Sequence, residues 1–141
     1  MTGKESGAGR IVVGVDGSAG SIRAVAWATN QARCTGAEIE LVTAWNYPVS
    51  YGFPLVVAGF EPEAQAADIV AKVAATIDLP ADRVHITVVN EPAATALVKR
   101  SAGADLLVVG SRGHGGFADL LLGSVGTHCT HHAGCSVVVV R

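Results

Sequence analysis

Gly110-Ser111-Arg112-Gly113-His114-Gly115-Gly116-Phe117-Ala118-Asp119-Leu120-Leu121-Leu122-Gly123-Ser124 decides how this chain is read. An apolar run, Leu106-Leu107-Val108-Val109, leads into the stretch, and a helix-compatible segment, Val125 to Ala133, leads out of it. The pattern predicts a strand that ends in a glycine-rich loop and feeds a helix N-terminus. Glycine lets a backbone turn through positive φ and come close to a ligand without a Cβ clash. The first N–H groups of a helix are unpaired and carry partial positive charge, so they hold phosphate. Ser124 is expected to be the N-cap, its hydroxyl serving the helix or an anion oxygen. The whole stretch reads as a phosphate cradle.

Other phosphate and nucleophile motifs fit less well. Gly113 to Ala118 spells G-x-G-x-x-A, but the dinucleotide fingerprint follows a first strand and needs an acidic residue roughly 20 positions on. Here no Asp or Glu follows Asp119. There is no G-x-x-x-x-G-K-[ST], hence no P-loop lysine. Ser111 would sit on a nucleophile elbow only if Val109 were glycine. Arg112 and His114 either meet phosphate or are solvated loop groups, and the residues alone leave both readings open.

Working outward, Ile11 to Val15 reads as a short strand of the fully buried kind. Asp16-Gly17-Ser18 ends it and opens a helix with Ile22, Val25, Ala26, Thr29 and Ala32 at helical spacing, stopped by Gly36. A second strand spans Ile39 to Ala44, and Asn46 to Gly59 reads as a loop. Glu61 to Ile77 returns to helical period, with Ala66, Ile69, Val70, Val73 and Ile77 on one side. A third strand, Val84 to Val89, is followed by a helix opened at Asn90-Glu91-Pro92. That helix presents Ala94, Leu97, Val98 and Ser101 and stops near Gly103. The fourth strand is Leu106 to Val109, and Ser136 to Val140 is the fifth. Such alternation of buried strands and helices predicts an α/β fold, a parallel sheet covered by helices on both faces in three αβα layers.

Composition agrees. The 141 residues suit one domain, here 11–141 behind a flexible polar tail at 1–10. A hydrophobic fraction of 50% with 16% charged residues suits a sheet buried on both faces. A net charge of −2 gives no general reason to expect nucleic acid. Cys34, Cys129 and Cys135 show no framework spacing, which favours a reducing compartment. The tail has no apolar h-region, and no apolar run approaches the roughly 18 residues of a membrane helix. The expectation is a soluble cytoplasmic protein without a membrane partner. His128, His131 and His132, with Cys129 and Cys135, are expected on different faces of one helix and lack C-x2-C or H-E-x-x-H spacing, so no metal site is expected there. Cys34 is expected to be a small apolar filler on the first helix.

Gly110, Gly113, Gly123 and Ser124 together form Gly-x2-Gly-x9-Gly-Ser. This pattern resembles that of the ATP-binding branch of the universal stress protein family, and the resemblance extends from about Ile11 to the C-terminus. It implies an open five-stranded, Rossmann-like sheet of order 3-2-1-4-5, with those four residues around the triphosphate of ATP carried with Mg²⁺ or Mn²⁺. In that order Asp16, after the first strand, faces the glycine loop, and the matching family aspartate lies beside the nucleoside. The alternative role for Asp16 is a helix cap shared with Ser18. Thr43 matches the position whose main chain meets the adenine edge.

The resemblance implies a nucleotide-dependent stress-response or signalling module with at most slow ATP hydrolysis. The competing class is an ATP-hydrolysing or nucleotidyl-transferring enzyme of related architecture. Such enzymes need a Ser-Gly-Gly-x-Asp-Ser loop or a His-x-Gly-His motif after the first strand, where this chain has Gly14-Val15-Asp16-Gly17-Ser18. The family order also leaves the fifth strand, with Val137 to Val140, at a sheet edge. Unpaired edges invite pairing, and dimers on this strand are common in the family. A homodimer through the fifth strand is therefore expected; a monomer whose edge the tail covers is the alternative.

Overall fold

Strands that are apolar at every position need cover on both faces, and the chain supplies it by alternating strand and helix. A computed structural model describes residues 9–46, 49–50, 53–54, 59, 61–112 and 122–141. In chain order these form β1 (Arg10–Gly14), α1 (Ala19–Thr35), β2 (Glu38–Trp45), β3 (Val49–Ser50), β4 (Phe53–Pro54), α2 (Pro62–Ala74), β5 (Val84–Asn90), α3 (Ala93–Ser101), β6 (Leu106–Gly110), α4 (Ser124–His132) and β7 (Ser136–Val140). β5, β2, β1, β6 and β7 lie side by side in that order, and every neighbouring pair is parallel. Counting only these five strands, the order is 3-2-1-4-5, as the family resemblance implied. β3 and β4 pair antiparallel in the segment expected to be a loop. They are two residues each, too short for an alternating pattern to mark them.

α1 and α2 cover one face of the sheet, and α3 and α4 the other. The first core layer joins Ile11, Val13, Ile39, Leu41 and Val108 to Ala24, Val25, Ala28, Ala32 and Val70 of the helices. The second joins Val12, Val42, Leu107 and Val109 to Ala96, Leu97 and Cys129. Adjacent strand residues thus serve opposite layers, the period-two rule applied to strands without a polar face.

Two expectations for α1 are corrected. Its buried face is Gly20, Ser21, Ala24, Val25, Ala28, Thr29 and Ala32, whereas Ile22 is 54% exposed and Ala26 is exposed. The helix is turned so that its smallest side chains meet the sheet. Cys34 is exposed rather than a filler, because it lies off that face. The expected stop holds: Gly36 adopts φ 79°, ψ 8°, and its N–H donates to the Ala32 carbonyl.

The ladder also assigns a direction to main-chain groups. The Glu38 N–H donates to the Gly9 carbonyl and the Val15 N–H to the Val42 carbonyl, so even-numbered residues of β2 face β1. The Ser111 N–H donates to the Val140 carbonyl, so in β7 the even-numbered residues face β6 and the odd-numbered ones face the open edge. Among the described residues no helix is long and apolar enough to cross a membrane.

Candidate functional site

Strand order reverses between β1 and β6, for the chain leaves β1 through α1 on one face and leaves β6 toward α4 on the other. Open parallel sheets bind ligands beyond the strand ends at this point, because the diverging connections leave a crevice there.

On the β1 side, Asp16 is held by the start of α1. Its Oδ1 accepts from the Ser18 N–H at 2.9 Å and the Ser18 hydroxyl at 2.5 Å. Ser18 is the N-cap, and its Oγ accepts from the Ser21 N–H at 3.2 Å. Asp16 thus orients the cap, which is the alternative role considered above, and it follows β1 closely in the chain.

On the β6 side, the Gly123 N–H donates to the Ser111 carbonyl at 2.6 Å, and Ser111 is buried. That bond brings Gly110, Ser111, Gly123 and Ser124 together from either end of the glycine stretch. Gly123, not Ser124, is the N-cap of α4: its backbone is extended (φ −73°, ψ 173°) and the Thr127 N–H donates to its carbonyl. Ser124 is the exposed first helical residue. The cap has no side chain, so no capping side chain accepts from the first N–H groups of α4. Arg112 is exposed at the edge of this group. Gly113 and His114 lie outside the described residues.

Gly110 has a packing reason to be glycine. A Cβ there would lie 2.8 Å from the carbonyl carbon and oxygen of Gly20, and one on Gly20 would lie 2.6 Å from the Arg112 carbonyl oxygen. α1 therefore crosses the end of β6 backbone against backbone. Gly20 escaped the sequence reading, and the only local signal was the small-residue run Ser18-Ala19-Gly20-Ser21.

Thr43 is buried, and its Oγ1 donates to the Val15 carbonyl at 3.0 Å, tying β2 to the end of β1. By the alternation along β2, its main chain faces β5. The N–H and C=O of Ala44 face the β1 side, just beyond the last strand residue Gly14. Side-chain patterns carry no record of which way a carbonyl points, so the sequence reading could not single out Ala44. Cys129 is fully buried, and burial pushes its thiol up to about 11, so it is no nucleophile at neutral pH.

A doubly wound α/β protein, with two helix starts and a glycine crossing gathered at the reversal point, is the class that fold and site define. The chain belongs to the universal stress protein family, whose model matches residues 7–141. It is similar to a universal stress protein of Mycobacterium tuberculosis, 37% identical over 135 residues that cover 93% of this chain and 45% of that protein. The chain thus spans about half the length of the curated relatives it matches. Among solved structures it resembles the universal stress protein UspA of Lactobacillus plantarum (TM-score 0.78, 19% identity, 94% of this chain and 97% of that one). It also resembles a universal stress protein solved in complex with cAMP (TM-score 0.68, 28% identity, 94% and 96%).

Proposed function

We infer that this universal stress protein binds an adenine nucleotide, ATP with Mg²⁺ or Mn²⁺, at the carboxyl ends of β1 and β6, as a sensing or signalling module. The observation that carries the reading is the start of α4, where a cap without a side chain is fastened to the end of β6. A helix N-terminus with its first N–H groups unspent on a side-chain cap is a seat for phosphate. Gly110, Gly113, Gly123 and Ser124 line the phosphates, Arg112 screens their charge, and the carboxylate of Asp16 accepts from ribose hydroxyls. The adenine edge meets the main chain of Ala44 rather than that of its neighbour Thr43. The relative solved with cAMP supports an adenine nucleotide in this fold, and it makes cAMP the second reading.

Calorimetry with ATP, GTP and cAMP, each with Mg²⁺, tests this. ATP is expected to bind far better than GTP, because backbone groups read the adenine edge, and better than cAMP. Equal affinity for ATP and GTP overturns the assignment, and a clear preference for cAMP replaces ATP with the cyclic nucleotide. Gly123→Val is expected to weaken ATP at least about tenfold, or roughly 1.4 kcal/mol. The backbone of Gly123 is already in a region that valine adopts, so such a loss reports the ligand rather than strain. Normal binding by this variant would remove Gly123 from the site.

We further infer a homodimer through β7. It is an edge strand, and its Val137 to Val140 carry neither proline nor lysine. Antiparallel pairing of β7 with its symmetry mate closes both edges. The ladder direction selects the test: the N–H of Val138 faces β6, whereas that of Val139 faces the open edge. Val139→Pro is expected to give a folded monomer by light scattering. A Val139→Pro protein that stays dimeric, or a monomeric parent, excludes this interface.

A further inference from the structure

The last two turns of α4 carry His128, His131 and His132, all exposed, at the far end of the helix from the proposed nucleotide seat. His128 and His132 are one helical turn apart, and their ring centroids are 4.5 Å apart with planes 40° from parallel. An imidazole nitrogen binds a late first-row metal at about 2.0 Å and stands about 1.1 Å from its own ring centre, so two rings at right angles on one metal have centroids about 4.5 Å apart. The side-chain torsions of His128 and His132 already bring the ring centres to that spacing. Rotation about the side-chain torsions of two exposed residues is all that is needed to converge the nitrogens.

Three further features favour a cation here. The two histidines lie toward the helix C-terminus, the negative end of the macrodipole. α4 contains no Lys, Arg, Asp or Glu, so no fixed charge on the helix competes. Among the described residues no hydrogen bond engages these rings. Cys129, beside His128 in sequence, takes no part, because it is fully buried on the opposite side against α3 and the sheet. His131 follows His132 around the helix at a centroid distance of 6.3 Å, on a different bearing, and is a flanking residue rather than the paired ligand.

We propose that His128 and His132 form a surface two-imidazole site for a divalent late first-row transition metal, with Cu²⁺ bound most tightly. Two neutral imidazoles suit Cu²⁺, Ni²⁺ and Zn²⁺, and the ordinary order of divalent affinities places Cu²⁺ first. The remaining positions are left to water or an outside ligand, so the site is open and exchangeable. The spacing is that of His-x-x-x-His without the glutamate of the hydrolytic motif, so binding rather than hydrolysis is the expected chemistry.

Titration of the full chain with copper(II) sulfate, in a non-coordinating buffer and without nucleotide, tests the proposal by calorimetry and electron paramagnetic resonance. One tight equivalent with nitrogen hyperfine structure is expected. His128→Ala and His132→Ala should each weaken it at least about tenfold, and His128→Gln should behave as His128→Ala does. His131→Ala and His85→Ala should leave the affinity within about threefold. Unchanged copper affinity in either His128→Ala or His132→Ala overturns the site, as does a larger loss in His131→Ala or His85→Ala. Because all these residues are exposed, near-identical circular dichroism is expected across the set, so a loss of copper reports ligation.

Discussion

Gly110→Ala is expected to lower the unfolding free energy by about 2–3 kcal/mol, the range for overpacking a site that cannot relax. Its new Cβ would stand 2.8 Å from the Gly20 carbonyl carbon and oxygen, which are backbone atoms of α1 and cannot swing aside. The reciprocal variant sharpens the test. Gly20→Ala lies near the start of a helix, where propensity alone would favour alanine by up to about 1 kcal/mol. The contact of 2.6 Å with the Arg112 carbonyl oxygen opposes this, and we expect it to win, so Gly20→Ala destabilises. Urea denaturation of both variants checks the pair. A neutral or stabilising Gly20→Ala would show that α1 and the end of β6 do not meet as closely as described. The result also bears on nucleotide binding: a Gly110 variant that loses ATP has lost the seat of α1 as well, so Gly123→Val is the cleaner probe of the phosphate contact.

Glu40→Ala is expected to cost about 3 kcal/mol, near the lower end for breaking a buried ion pair because both arginines reach solvent. Glu40 sits in mid-sheet at 3% exposure. Its Oε1 lies 2.8 Å from Arg10 Nη1, its Oε2 lies 2.5 Å from Arg100 Nη2, and the Thr87 hydroxyl donates to Oε2 at 2.7 Å. Arg10 also donates to the carbonyls of Arg100 and Ala102, each at 3.0 Å. The cluster therefore fastens the end of α3 to β1 and β2.

Burial by itself would push the Glu40 carboxyl up, but the bonds from Thr87, Arg100 and Arg10 outweigh it and hold the group below its ordinary 4.5. A carboxyl whose folded pKa is depressed contributes stability that is complete above its unfolded pKa. That contribution is lost as pH falls through the folded value. The parent should consequently lose more stability than Glu40→Gln between about pH 6 and about pH 3. Denaturation at several pH values measures this, and identical pH slopes would mean that Glu40 is not the linked group.

The local reading found the five main strands, the four main helices and their boundaries to within a few residues. Period and composition record which segments need burial, and that need is local. Arg10 opens β1 one residue before the expected start, because its backbone pairs with Glu38 and its carbonyl accepts from the Asp105 N–H, both distant in the chain. Strand order was beyond periodicity, since equally apolar strands satisfy it in any arrangement, and it came from the glycine pattern's resemblance to a family.

Within the candidate site, the sequence by itself determined that Gly110 and Asp16 stand at strand ends. Position along the chain already places Asp16 after the first strand and Gly110 after the fourth. Tertiary structure alone decided what those residues do there. Gly110 faces Gly20 across a contact between segments 90 residues apart, so its lack of a Cβ serves packing. The cap of α4 is Gly123 rather than Ser124, because the Gly123 backbone is extended while its carbonyl already accepts from the Thr127 N–H. The choice of Ala44 over Thr43, and of Val139 over Val138, depends on which neighbour a strand's carbonyls face. That direction is set by pairing between distant segments, and no side-chain pattern encodes it.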